Sequence, residues 1–244
     1  MINWLQRAEL LVGEEGIEKL KNANVLVVGL GGVGSFAAEF LCRSGIGRMT
    51  IIDGDEVDPT NKNRQLVALD STVGMNKAEV MAARMRDINP DIQLTIIKEF
   101  LSPERMNELV TKEYDWVVDC IDSLQPKQYF LVAAINNGVN VASSMGAGGR
   151  MDTEQVHITN LFKTKNCPFA HQVRKGLRRK GIKKANIIAV YSEELVSKDT
   201  MQVTDGSRFK KSYYGTISYI PALFGLHIAS IVIRRLLDET VKFS

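Results

Sequence analysis

Gly29-Leu30-Gly31-Gly32-Val33-Gly34 interrupts the apolar run Val25–Val28. Stripping side chains there lets backbone N–H groups meet phosphate at the N-terminus of a following helix. Asp53 closes the next apolar run, 19 residues after Gly34, where an acid can accept hydrogen bonds from ribose hydroxyls. The same glycine spacing also serves a tight turn with close helix–strand packing, and alone it does not separate NAD from ATP. The loop DGDEVDPTNKNRQ, Asp53 to Gln65, helps to separate them, since it sets Asp55, Asn61, Arg64 and Gln65 beside the ribose acid, with Lys77 opening the next helix. Amide donors with a forked and a point cation suit a triphosphate better than a nicotinamide. In VVDCIDS, Val117 to Ser123, Asp119 and Asp122 stand where a strand ends. A carboxylate there can hold Mg²⁺ between phosphate oxygens, or simply cap the next helix. Asp122 is read as functional; for Asp119 both readings stay open.

Such residues need rigid elements behind them. Strands are expected at Val25–Gly29, Met49–Asp53, Ile92–Ile97, Trp116–Cys120 and Val139–Ser143. Between them, helices are expected from Ser35 to Ser44 with Gly45 as stop, over Asn76–Ile88, from Ser102 to Thr111, and over Pro126–Asn137 with Gly138 as stop. This alternation predicts an α/β fold: a Rossmann-like, mostly parallel sheet with helices on both faces. It fades near Gly146, and Val156–Thr159 and Ile187–Tyr191 read as antiparallel strands around a basic, loop-like insert at about 160–186. The chain reads as one domain over 1–244, with a nucleotide-binding half at 1–150 and a mixed, partly antiparallel half at 151–244.

The formal charge of +3 decides little, but its distribution is uneven. From Gln155 to Ser192 there is no acid, yet that interval holds nine cations: Lys163, Lys165, Arg174, Lys175, Arg178, Arg179, Lys180, Lys183 and Lys184. A phosphate backbone suits such a patch, as does another polyanion or an acidic membrane surface; a solvated basic helix is the plainest reading. Phe162 and Phe169 flank it and can either stack on bases or pack in the core. His157 and His227 read as structural, and His171 as near the patch. Cys42, Cys120 and Cys167 are far apart with no CxxC pair, which argues against a disulfide framework or cysteine zinc site. The amino-terminal stretch is read as carrying no secretory signal. Gly215 to Ile233 lacks Asp, Glu, Lys and Arg over 19 residues, which is membrane-span length, but Pro221, His227 and several small polar residues favour a buried helix.

Taken together, GLGGVGS, IIDGDEVDPTNKNRQ, VGMNKAEVMAARMRDINP and DCIDS resemble the ThiF/MoeB family, whose fold is that of ubiquitin-activating enzymes. QRAELLVGEEGIEKLKNANV is similar to the family's opening helix. CRSGIGRMTIID, MGAGGRMD, the basic segment and FGLHIASIVIRRLL are most similar to the branch that dehydrates threonylcarbamoyladenosine in tRNA. The resemblance implies ATP and Mg²⁺, a tRNA partner, a homodimer and a cytoplasmic location. It implies that Gly29, Gly31, Gly32, Gly34, Asp53, Asp55, Asn61, Arg64, Gln65 and Lys77 bind the nucleotide, and that Asp122 carries the metal. Arg64, Lys77 and Asp122, with Arg7 reaching in from a neighbouring subunit, would be catalytic. Arg174, Lys175, Arg178, Arg179, Lys180, Lys183 and Lys184 would meet tRNA. The alternative within the family is adenylation of the C-terminal glycine of a ubiquitin-like sulfur carrier. Two departures weigh against a sulfur relay, while a sulfur-transfer or desulfurase-type partner stays open. The CxxC pairs are missing, and KKSYYGTISY, Lys210 to Tyr219, lacks the cysteine some members carry there.

Overall fold

The computed structural model describes residues 3–203 and 212–238. Seven strands form one sheet: β1 (Asn24–Val28), β2 (Arg48–Ile52), β3 (Gln93–Ile97), β4 (Trp116–Asp119), β5 (Asn140–Ser144), β6 (Val156–Asn160) and β7 (Ile187–Ser192), in the order β3-β2-β1-β4-β5-β7-β6. All neighbours are parallel except β6 on β7. The order reverses between β1 and β4, which opens a crevice at their carboxyl ends.

β1 is a near-continuous apolar run because it is covered on both sides. Val25 and Val27 join a core with α2 (Gly34–Arg43), α3 (Lys77–Ile88) and α7 (Tyr219–Leu236). Leu26 and Val28 join the opposite core with α4 (Pro103–Leu109), α5 (Leu124–Asn136) and α6 (Pro168–Arg179). Each such side chain, fully buried, contributes roughly 1.5–3 kcal/mol.

Local chemistry sets the boundaries. Gly45 (φ +86°) and Gly138 (φ +63°) end α2 and α5 in a conformation that costs other residues a Cβ clash. Asn76 caps α3, its side-chain oxygen accepting from the Ala78 and Glu79 N–H groups at 3.0 and 3.3 Å. Ser102 caps α4 in the same way. The opening helix α1 (Gln6–Asn22) is broken at Gly13, whose φ of +74° is not helical.

The second half departs from the sequence expectation in two ways. β7 pairs parallel with β5 on one side and antiparallel with β6 on the other, so only β6 reverses direction. The basic insert is not a loop: it contains α6, whose Ala170, Val173, Gly176 and Leu177 are buried. Lysines and arginines masked a sound apolar stripe at helical spacing. A small antiparallel ribbon follows, β8 (Met201–Val203) on β9 (Ser212–Tyr214). α7 is long and apolar enough to cross a membrane, yet here Phe224, Ile228 and Val232 are fully buried in the core. It packs so tightly on α2 that a Cβ at Gly225 would lie 2.6 Å from the Val33 carbonyl oxygen.

Candidate active site

The four glycines of the turn do different work. A Cβ on Gly29 (φ +87°) would sit 2.9 Å from the Cys120 carbonyl oxygen, and one on Gly34 would sit 1.7 Å from that of Gly29. These two allow β1, β4 and α2 to close on one another. Gly32 abuts Pro221 of α7, at 3.0 Å. Gly31 has room: among the described residues, apart from its chain neighbours, the nearest atom to its Cβ position is Gln65 Nε2, at 3.8 Å. Gln65 Oε1 is buried without a hydrogen-bond partner among the described residues. Bare backbone beside an orphaned amide oxygen fits a polar ligand laid across the turn. α2 begins here with no side-chain cap, leaving its dipole free to attract an anion. Ser35 braces the turn, donating to the Gly31 carbonyl at 2.7 Å and accepting from the Leu66 N–H at 3.3 Å.

Asp53 stands at the end of β2, beside the turn. Its carboxylate accepts from the Leu30 N–H at 2.6 Å and the Asp55 N–H at 2.8 Å. Burial pushes this carboxyl above its ordinary value, against the opposing pull of Lys77 and the two N–H groups. Lys77, only 5% exposed, reaches the Asp55 carboxylate at 3.3 Å. Asp58 and Asn61 form a capping box around the turn Pro59–Asn61, which buries Asn61 and aims the following residues. Arg64 is held by the Thr60 carbonyl at 2.9 Å and the Asn63 side chain at 2.8 Å. Burial lowers its pKa, and the charges of Asp122 and Asp58 work against that. Glycine turn, loop and Asp122 therefore meet at one end of the crevice.

The two aspartates after β4 separate sharply. Asp119 is fully buried: Oδ2 is 2.6 Å from Lys127 Nζ and 2.6 Å from Ser143 Oγ, and Oδ1 accepts the Ile121 N–H at 3.1 Å. It ties β4, α5 and β5 together and shapes the loop that presents Asp122. Lys127 escaped sequence reasoning; as the one charged residue in α5, it was its own signal. Asp122 is exposed, its Oδ1 3.4 Å from the Ser123 hydroxyl. It does not cap α5, whose N-cap is Ser123. The described residues hold no group of three or more metal-ligating side chains. That donor set fits a hard cation shared between Asp122 and phosphate oxygens, as Mg²⁺ prefers, and not a closed protein cage.

Other expected residues lie elsewhere. Arg7 is exposed near Leu5, which packs on Gly45 at the far end of α2 from the glycine turn; one chain does not bring it to the crevice. On α6, Lys175, Arg178, Arg179 and Lys180 are exposed, as are Lys183 and Lys184 beyond it. Arg174 differs: it turns inward to the Thr164 hydroxyl and the Leu161 carbonyl, and burial lowers its pKa. It braces the approach to α6. Lys175, Arg179 and Lys180 line a groove of about 400 Å³ with Leu124, Gln128, Gln172 and Gly176. Leu124 lies two residues beyond Asp122, so the cationic groove begins close to that carboxylate. Phe162 and Phe169 are partly buried and pack against the core on the α6 side of the sheet, the second of the two readings the sequence allows. His157 packs on Tyr191, ring centroids 5.9 Å apart. His171 is exposed on α6, and burial lowers the pKa of His227 on α7.

Two thiols are not poised as nucleophiles: burial pushes Cys42 up to about 11 and Cys120 well above its ordinary value. Cys167 is buried at the start of α6, its sulfur 3.5 Å from Arg150 Nη2. Lys210 and Lys211, the start of the segment without the family cysteine, lie outside the described residues.

Comparison with known proteins gives this geometry relatives. Residues 5–244 match the ThiF family. The chain is 37% identical to the tRNA threonylcarbamoyladenosine dehydratase of Bacillus subtilis over 246 residues, covering 98% of this chain and 96% of that protein. Its fold superposes with a TM-score of 0.87 on the Escherichia coli tRNA N6-threonylcarbamoyladenosine dehydratase solved in complex with ATP, at 35% identity, covering 96% and 95% of the two chains. It is also 34% identical to the E. coli sulfur carrier protein ThiS adenylyltransferase, over only 56% of this chain and 55% of that one.

Proposed function

The chain belongs to the ThiF family, and on that premise we propose that it is an ATP-dependent dehydratase of threonylcarbamoyladenosine in tRNA. The single observation that supports this best is the crevice between β1 and β4. There the open Gly31 and the orphaned Gln65 oxygen adjoin Asp53, Lys77 and Arg64, with Asp122 at the mouth of a cationic groove. The Bacillus subtilis dehydratase matches 98% of this chain, whereas the sulfur-carrier activator matches 56%. The whole chain, 1–244, acts as one adenylation unit.

In the reaction, the substrate's threonylcarbamoyl carboxylate attacks the α-phosphorus of ATP. The bond to the bridging oxygen breaks, pyrophosphate leaves, and an acyl-adenylate remains. An atom of the neighbouring carbamoyl group then attacks the activated carbonyl, a five-membered ring closes, and AMP leaves. The net change is loss of water. Both reactants of the second step sit in one molecule, so no protein nucleophile is needed; the elevated thiols of Cys42 and Cys120 agree with that, and no sulfur-transfer partner is required.

The protein's work is positioning and charge compensation. The backbone at Gly29, Gly31, Gly32 and Gly34 and the amides of Asn61 and Gln65 cradle the nucleotide, and Asp53 takes the ribose. Asp55 holds Lys77 in line, while Lys77 and Arg64 draw charge off the departing pyrophosphate. Asp122 would hold Mg²⁺, and a bound ion there would supply positive charge to screen the phosphates. Lys175, Arg178, Arg179, Lys180, Lys183 and Lys184 grip the tRNA backbone; Arg174 supports them from below. Arg7, exposed and remote from its own crevice, serves the site of a second copy in a cytoplasmic homodimer.

The test is ATP cleavage by purified protein with Mg²⁺ and tRNA bearing threonylcarbamoyladenosine. AMP and pyrophosphate should appear with the cyclic nucleoside. Asp122→Ala should abolish AMP while keeping tRNA binding, and mixing it with Arg7→Ala should restore part of the activity through hybrid dimers. Absence of AMP with the native protein sinks the proposal, and absence of rescue in proven hybrids removes Arg7 from it.

A further inference from the structure

We propose that the exposed ring of Tyr214, with Tyr219, Met151 and Met201 beside it, is a stacking platform for an unpaired base of the RNA substrate. This rests on the reading of the substrate as RNA. All four side chains are exposed. They gather on the strap that leaves β5, residues 145–151. Tyr214 lies against this strap: a Cβ on Gly148 would come within 2.9 Å of Tyr214 Cβ, so only glycine lets the tyrosine lie that close. Met201 is paired with Tyr214 across the ribbon. Gly149 N–H bonds the Gly215 carbonyl at 2.7 Å, and the Tyr219 hydroxyl bonds the Met151 carbonyl at 2.9 Å.

This patch is joined to both parts of the proposed site. The Thr216 carbonyl accepts from Asn63 Nδ2 at 2.8 Å, and Asn63 Oδ1 accepts from Arg64 at 2.8 Å. Two hydrogen bonds thus link the ribbon to a phosphate-site cation. At the other end of the strap, the Cβ position of Gly146 is 3.4 Å from Phe169 Cβ, in the first turn of α6. The platform therefore lies between the adenylation crevice and the helix that displays the cations.

The chemistry favours RNA over other occupants. Exposed cations grip phosphates but do nothing to hold a base, and a reactive adenosine must be turned out from its neighbours before it reaches ATP. Aromatic faces take any base, which suits a segment next to the reacting nucleotide. Phe162 and Phe169 spend much of their surface on the core, whereas Tyr214 and Tyr219 are exposed.

The experiment titrates the full chain into a stem-loop RNA with 2-aminopurine in its unpaired loop. Native protein and Tyr214→Phe should quench the fluorescence. Tyr214→Leu, which keeps apolar packing on the strap, and Tyr219→Leu should lose the quench and raise the RNA Kd about ten-fold. ATP affinity and the salt dependence of RNA binding should hold in every variant, since no phosphate contact is touched. Equal quenching and equal Kd in both leucine variants would overturn the platform and leave the RNA reading intact. Native protein that fails to bind the RNA at all would overturn both. If the leucine variants keep RNA binding but lose binding to anionic lipid vesicles, the patch is a membrane surface and the proposal falls.

Discussion

The loop from Asp53 to Lys77 and the helix α6 both concentrate charge, and they handle it in opposite ways. In the loop, charges are held: Asp53 by two backbone N–H groups, Lys77 by Asp55, Arg64 by Thr60 and Asn63. On α6 and just beyond, Lys175, Arg178, Arg179, Lys183 and Lys184 extend into solvent. Held charges in a partly dry crevice act strongly on atoms a few ångströms away and need no reorganisation during a reaction. Displayed charges act over a Debye length, guide a polyanion, and weaken with salt. The first arrangement suits chemistry, the second suits capture.

The largest effect should come from the most confined cation. Lys127 is fully buried against Asp119 and Ser143. Lys127→Met leaves Asp119 buried without its counter-charge, which costs about 3–5 kcal/mol of stability. Adding Asp119→Asn removes the stranded charge and should restore most of it in urea denaturation. Activity should stay low in the double variant, because the hydrogen bonds that set the Asp122 loop are altered. A double variant with native activity would mean that Asp122 needs no such support.

A displayed pair should behave differently. Arg179→Ala with Lys180→Ala should leave unfolding within about 0.5 kcal/mol of native, apart from the stacking of Lys180 on Tyr129 at 3.9 Å. The slope of log Kd for tRNA against log salt should fall by roughly 1.4–1.8, the loss of two phosphate contacts. ATP affinity should not move. If it drops in parallel, capture and chemistry share one surface and the contrast drawn above fails.

The same contrast explains what the sequence revealed. The crevice was legible because its work is local: glycine spacing, an acid at a strand end, and a dense polar loop all fall within Val25–Ser123. The β–α alternation was legible because buried parallel strands read as apolar runs. Three features were not. Asp119 and Lys127 meet only through the packing of α5 on the sheet, and an aspartate at a strand end reads the same whether it faces ligand or core. α6 was hidden because its four cations match its four buried residues in number, so composition outweighed periodicity. Arg174 looked like its neighbours, although its position on the helix turns it toward Thr164. Conversely, the idle space at Gly31 appears only when the other glycines are seen filled by neighbouring backbone and Pro221.

The smallest predicted effect is also the most diagnostic of a held charge. Burial raises the Asp53 carboxyl above its ordinary 3.8, with Lys77 and two N–H groups pulling the other way. Ribose hydroxyls need the ionised form as acceptor. As pH falls, ATP affinity should therefore begin to weaken above the pH at which an ordinary aspartate would protonate. Stability runs in the opposite sense. A folded pKa above the unfolded one means the folded state holds the extra proton, so this group favours folding most at low pH. That contribution fades as pH rises through the raised value. ATP phosphates also titrate, so the comparison must be native protein against Asp53→Asn, measured with a fluorescent ATP analogue. The difference in log Kd should be nearly constant at neutral pH and shrink as the native carboxylate takes up its proton. A difference independent of pH down to the ordinary aspartate range would show that Asp53 is as well solvated as the cations of α6, and would erase the distinction between held and displayed charge at the residue where it is most finely balanced.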